Sequence, residues 1–121
     1  MAVILVVEDD MFIRETAEMM IQDWGHQILS ACDVNEALTH LCSPHRIDAL
    51  FTDIYLKTDV LGGCDLARQA IKLRPDLRIL YTTGNRVTEK LLALFAEGSH
   101  FLSKPYTEDQ LQGSFESLLA A

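Results

Sequence analysis

Five times in succession, a short apolar run gives way to a stretch whose apolar residues recur at helical spacing. The first run is "AVILVV", residues 2–7, too short for a helix and continuous enough for a buried strand. Ile13, Ala17, Met20, Ile21 and Trp24 follow and share one helical face, with Asp10 able to cap the start and Gly25 to end it. "HQILSA" predicts a second strand. Asp33 and Glu36 then form a D-x-x-E helix start, and Val34, Ala37, Leu38 and Leu41 lie along one face. "IDALFTD" predicts a third strand and "IYLKTDVLGG" a loop. Leu66, Ala67, Ala70 and Ile71 mark a third helix that closes near "RPD". "LRILYTT" predicts a fourth strand. Val87, Leu91, Leu94 and Phe95 predict a fourth helix, with Gly98 past its end. "HFLS" is a short fifth strand. Thr107 and Gln110 form a capping box for a fifth helix bearing Leu111, Phe115, Leu118 and Leu119.

Such alternation implies an α/β fold, a parallel sheet with helices on both faces. The 121 residues suffice for one domain with a real core. The five units consume the chain without a linker, so the expectation is a single domain over 1–121 and no output domain. The net charge of −8 argues against nucleic acid, whose phosphates are met by Lys and Arg, and against an anionic membrane surface. No apolar stretch reaches the length of a membrane span, and no leader pattern opens the chain. Cys32, Cys42 and Cys64 are odd in number and match no metal motif, so they read as free thiols. A cytoplasmic location is expected. His26, His40, His45 and His100 are scattered and read as surface or packing residues.

In open α/β sheets, ligands bind beyond the carboxyl ends of the strands. The first strand ends there in Glu8-Asp9, the third in Asp53, the fourth in Thr82-Thr83-Gly84 and the fifth in Lys104-Pro105. Like charges so close repel, by roughly 4 kcal/mol for two unit charges about 4 Å apart at an effective dielectric near 20. A divalent cation among the acids removes the conflict. Mg²⁺ fits, since it takes hard oxygen ligands and keeps room for water and a phosphoryl oxygen. Asp10 fits better as the cap of the first helix. An ammonium such as that of Lys104 binds a phosphoryl oxygen as a point charge. A carboxylate can act as a nucleophile and form an acyl phosphate.

With these residues in place, the chain resembles a response-regulator receiver domain, the phosphoryl-accepting module of two-component signalling. "ILVVEDD", "FTDIYL", "YTTG" and "FLSKP" resemble its four signature blocks, in family order. The resemblance implies a doubly wound (βα)5 flavodoxin-like sandwich of strand order 2-1-3-4-5. It makes Asp53 the phosphoacceptor. Mg²⁺ would be held by Asp9, by Asp53, by the backbone carbonyl of Tyr55 and, through water, by Glu8. Thr83, Gly84 and Lys104 would bind the phosphoryl group, and Thr83 and Phe101 would form the switch. Lys104-Pro105 becomes a candidate cis bond. The implied donor is a sensor histidine kinase or a histidine phosphotransfer protein. The implied output is a protein target at the face of the fourth helix, fifth strand and fifth helix, where a homodimer could also form. The chain would then not be an enzyme, but a phosphoacceptor that assists its own phosphorylation and dephosphorylation.

Three departures stand out. The loop after Asp53 lacks the family's usual proline and is about two residues longer than usual. Phe101 stands where tyrosine is commoner, and so has no hydroxyl to bond. Tyr55 is bulky for a position bordering the path of attacking water, which predicts a long-lived phosphoryl group. Two other readings stand beside it: a phosphorylation-independent interaction module on the same fold, and a hydrolytic enzyme such as a phosphatase with an aspartate nucleophile. The first predicts damaged chemistry, yet Asp9, Asp53, Thr83 and Lys104 are all present. The second often needs another Asp two residues after the nucleophile, where this chain has Tyr55.

Overall fold

A computed structural model of the chain describes residues 1–57 and 61–120. Five strands, β1 (Val3–Val7), β2 (Gln27–Ala31), β3 (Ala49–Asp53), β4 (Arg78–Thr83) and β5 (His100–Ser103), pair in parallel in the order β2-β1-β3-β4-β5. The helices are α1 (Met11–Asp23), α2 (Val34–Leu41), α3 (Gly62–Leu73), α4 (Glu89–Leu92) and α5 (Glu108–Ala120). This is the doubly wound sandwich expected. Residues 58–60 of the predicted long loop lie outside the described residues.

Strand alternation sorts the apolar side chains into two cores. Leu5, Val7, Leu50, Ile79 and Tyr81 face α2 and α3. Ile4, Val6, Ala49, Phe51 and Leu80 face α1 and α5, meeting Ala17, Ile21, Leu111, Phe115 and Leu118. Phe51 stands edge-on to Phe115, with ring centroids 5.4 Å apart. Each fully buried Leu, Ile or Phe contributes about 1.5–3 kcal/mol, so both layers hold the sheet between them. Glu108, Asp109 and Glu116 are exposed on α5.

The caps follow the sequence. Asp10 accepts a hydrogen bond from the Ile13 N–H and Asp33 one from the Glu36 N–H. Thr107 and Gln110 bond each other's backbone reciprocally. Gly25 takes φ +91°, the left-handed conformation that ends α1.

Two expectations need correction. Ala17 and Ile21 of the predicted α1 face are buried and Met20 and Trp24 pack half-buried beside them, but Ile13 is exposed where the helix begins and Glu18 is buried instead. Glu18 is tolerated there because its carboxylate accepts a hydrogen bond from the Ser30 hydroxyl on β2. The fourth helix is also shorter than its periodicity suggests. It stops at Leu92. Beyond it, the Leu94 and Phe95 N–H groups donate to carbonyls three residues back. The Ala96 N–H leaves the helix pattern and donates to the Tyr81 hydroxyl at 3.0 Å. Phe95 stacks on Tyr81 with centroids 4.4 Å apart.

Candidate functional site

Because all strands run the same way, β1, β3, β4 and β5 deliver their last residues to one edge of the sheet. Glu8 and Asp9 follow β1, and Asp53 closes β3. Their carboxylate oxygens come within 4.8 Å of one another. Glu8 and Asp53 are buried, at 5% and 8% exposure. Two anions so placed need a compensating cation. Lys104, one residue beyond β5, supplies it: its Nζ donates to Glu8 Oε1 and, at 3.0 Å, to Asp53 Oδ2. Sequence reasoning gave Lys104 only a phosphoryl group to bind; here it also bridges the two buried acids.

The electrostatics follow from these contacts. Burial raises the Glu8 carboxyl above the usual carboxylate range, against the opposing pull of Lys104. Burial works against the Lys104 ammonium, but its hydrogen bonds to Glu8 and Asp53 prevail and hold it above the ordinary lysine value. Asp9 is the most open of the three acids. Its burial acts upward, but the Lys57 backbone N–H, the Glu8 side chain and the Lys57 charge together bring it below the usual aspartate value. The Lys57 N–H donates to Asp9 Oδ2 at 2.5 Å, tying the loop after β3 to the end of β1.

Asp10 N–H donates to Glu8 Oε2, and Arg14 Nη1 donates to the Glu8 carbonyl at 3.0 Å. The three acids supply only oxygen, which suits a hard divalent cation such as Mg²⁺ far better than a soft one.

The other predicted residues surround this cluster. Thr83, at the end of β4, is buried, and its hydroxyl accepts from the Asn85 N–H at 3.1 Å. The Lys104 N–H donates to the Thr83 carbonyl, joining the β4 and β5 ends. Gly84 is exposed, and a Cβ there would make only an ordinary contact with Lys104 Cβ, at 3.8 Å. Tyr55 is half-buried and packs against the α2/α3 core. Phe101 is half-buried on β5, with its ring 6.1 Å from that of Phe95. The Lys104-Pro105 bond is cis.

Sequence reasoning missed three participants. Gly63 lies directly under Asp53: an added Cβ would stand 2.0 Å from the Asp53 carbonyl oxygen. Its N–H donates to the Ile54 carbonyl at 3.0 Å, pinning the start of α3 to the end of β3. The paired glycines after the loop were the available signal. Arg14 and Tyr81 are the other two. Their periodicity places them on a helix and a strand without saying what their polar ends meet.

The profile of the response regulator receiver domain matches residues 4–116. The chain belongs to the response regulator receiver family of two-component, phosphorelay signalling. It is 33% identical over 117 residues to the response regulator MprA of Mycobacterium avium (strain 104), covering 96% of this chain and 50% of that one. MprA of Mycobacterium tuberculosis (strain ATCC 25177 / H37Ra) is similar to the same extent. The chain thus spans about half the length of these curated relatives. Among solved structures, a response regulator receiver protein from Sinorhizobium medicae WSM419 superposes with a TM-score of 0.89 at 27% identity, covering 99% of this chain and 95% of that one. The chemotaxis protein CheY4 of Vibrio cholerae does so with a TM-score of 0.86 at 26% identity, covering 98% and 99%. No helix among the described residues is long and apolar enough to cross a membrane.

Proposed function

We propose that the chain accepts a phosphoryl group on Asp53 from the phosphohistidine of a sensor kinase or histidine phosphotransfer protein, and converts it into a change of protein-binding surface. One observation carries this reading: Asp53, Glu8 and Asp9 converge at the carboxyl edge of the sheet with the Lys104 ammonium on Asp53 itself. An Asp53 carboxylate oxygen attacks phosphorus; the new O–P bond forms as the N–P bond breaks, and the electron pair leaves with the imidazole nitrogen. Lys104 then has a third anion to hold, the phosphoryl oxygens, in the position it already occupies. Mg²⁺, bound through Asp9, Asp53, the Tyr55 carbonyl and, by way of water, Glu8, would neutralise charge on the transferring group. The chain is a phosphoacceptor in this scheme and not an enzyme acting on a separate substrate.

The Thr83 hydroxyl, one strand over, is the group to be drawn toward the phosphoryl oxygens and away from the Asn85 N–H. Phe101, half-buried on β5 opposite Tyr81, would then turn into the space that Thr83 leaves. The surface of α4, β5 and α5 would then change shape as a population shift between two states. Leu92 and Leu94 are exposed there, as a protein-binding face requires.

The test is the intact mass after incubation with Mg²⁺ and a small acyl-phosphate donor. One added phosphoryl group is expected, absent without Mg²⁺ and absent in Asp53→Asn. If the wild-type chain neither gains that mass nor binds beryllofluoride in the presence of Mg²⁺, the reading fails and a phosphorylation-independent interaction module takes its place.

A further inference from the structure

Behind the acid cluster, on the α1 side of the sheet, lies a cavity of about 10 Å³. Its lining includes Glu8, Arg14, Asp53, Thr82 and Tyr106. Among the described residues, two side-chain polar atoms are buried without a protein partner, Arg14 Nε and Thr82 Oγ1. Both belong to residues that line this one cavity. An unmet buried polar group costs about 1–3 kcal/mol, and native proteins meet such groups with internal water. A cavity of roughly 10–15 Å³ is the smallest that takes one water molecule, and such a water needs two to four polar partners.

We propose that this cavity is an internal water site shared by Arg14 Nε and Thr82 Oγ1, and that through this water Thr82 and Arg14 position the acid cluster. Arg14 Nε donates to the water, and the Thr82 hydroxyl takes its other side. The Arg14 charge excludes a metal ion, and the neighbouring Glu8 and Asp53 carboxylates exclude an anion. The site joins α1 to β4. Arg14 belongs to α1 and also grips the Glu8 carbonyl. Thr82 is the sheet partner of Asp53, and its carbonyl accepts from the Ile54 N–H at 2.9 Å. The water therefore links the backbones that carry Glu8 and Asp53.

The water site and its functional role are tested separately, since the second rests on the reading of Asp53 as phosphoacceptor. Thr82→Val keeps shape and removes the hydroxyl; Arg14→Met keeps most of the stem and removes Nε. In a double-mutant cycle, groups that share one bridging water are non-additive. The double variant is expected to be at least about fivefold more stable than the product of the single effects predicts. Effects that simply multiply overturn the site. If Arg14→Met does not fold, Arg14→Lys, which keeps charge and loses Nε, takes its place. For the role, beryllofluoride affinity with Mg²⁺ is measured. Thr82→Val is expected to weaken it about tenfold, and Thr82→Ser to restore it to within about twofold of wild type. Equal affinities for the two variants overturn the positioning role. If the wild type itself binds no beryllofluoride and takes no phosphoryl group, the proposed function falls, while the stability cycle still judges the water site.

Discussion

Gly63 sits so close beneath Asp53 that a single added carbon would stand 2.0 Å from the Asp53 carbonyl oxygen. The neighbour is backbone in the middle of a sheet, so nothing flexible can move aside. Gly63→Ala is therefore expected to lose about 1–3 kcal/mol or more, read as a lower denaturant midpoint at unchanged slope. It is also expected to weaken Mg²⁺ binding, because the displaced backbone carries a carboxylate of the cluster. A variant as stable as wild type would mean that the start of α3 is not held against β3 as the structure has it.

Lys104 holds Glu8 and Asp53 together, so the effect of its removal depends on whether a metal is present. In chelator, Lys104→Met is expected to cost roughly 1–3 kcal/mol, because two buried carboxylates lose their partner. With Mg²⁺ added, the variant should recover more stability than wild type gains, because its acids no longer share their charge with an ammonium. Thermal melts with and without Mg²⁺ read both. An equal Mg²⁺ shift in the two proteins would contradict the bridging role.

The same ammonium sets an alkaline limit. Its value is raised in the folded protein, so its contribution is complete below about 10.4, the unfolded value, and is lost as pH rises through the folded one. Asp9 is lowered, so its contribution is complete above about 3.9 and is lost as pH falls through the folded value. Glu8 is raised by burial and runs the other way: it favours the folded state below about 4.3 and loses that advantage as pH climbs through its raised value. Metal-free wild type is expected to lose stability above pH ~10 in a way that Lys104→Met does not. Urea titrations at several pH values in chelator make the comparison.

Four residues past the end of α4, the Ala96 N–H donates to the Tyr81 hydroxyl. Tyr81→Phe keeps the stack on Phe95 and removes the acceptor. It is expected to cost about 1 kcal/mol and to speed hydrogen exchange at Ala96. Unchanged exchange at that amide would remove the tyrosine from any account of why α4 is short.

Tyr55 bears on how long a phosphoryl group survives. Its ring packs against the α2/α3 core beside the loop that leaves Asp53. Tyr55→Asn is expected to shorten the lifetime of the phosphorylated chain, followed by loss of mass after donor removal. A lifetime equal to wild type would sink the idea that bulk at this position shields the acyl phosphate from water.

The strand ends were readable from sequence because continuous apolar runs break abruptly into acids at Glu8, Asp9 and Asp53. The caps at Asp10, Asp33 and Thr107 were readable because capping is local, spanning three residues. What escaped depends on distant partners. Leu91, Leu94 and Phe95 carry helical spacing, but past Leu92 the amides bond three residues back and that of Ala96 goes to Tyr81, 15 residues earlier in the chain. Glu18 looks like a solvated position until Ser30 on the neighbouring strand offers it a hydroxyl. Lys104 was legible as a cation at a strand end. That it bridges two buried acids depends on side chains 96 and 51 residues away.

Those long separations have a consequence for a chain still emerging from the ribosome. Glu8, Asp9 and Asp53 are all made well before Lys104, and until β5 docks beside β4 the acids lack the ammonium that balances two of them. Closing such distant pairs is the slow part of folding a parallel sheet. The assembled cluster is thus a mark of a finished domain: a nascent copy carries the acids without the ammonium that balances them.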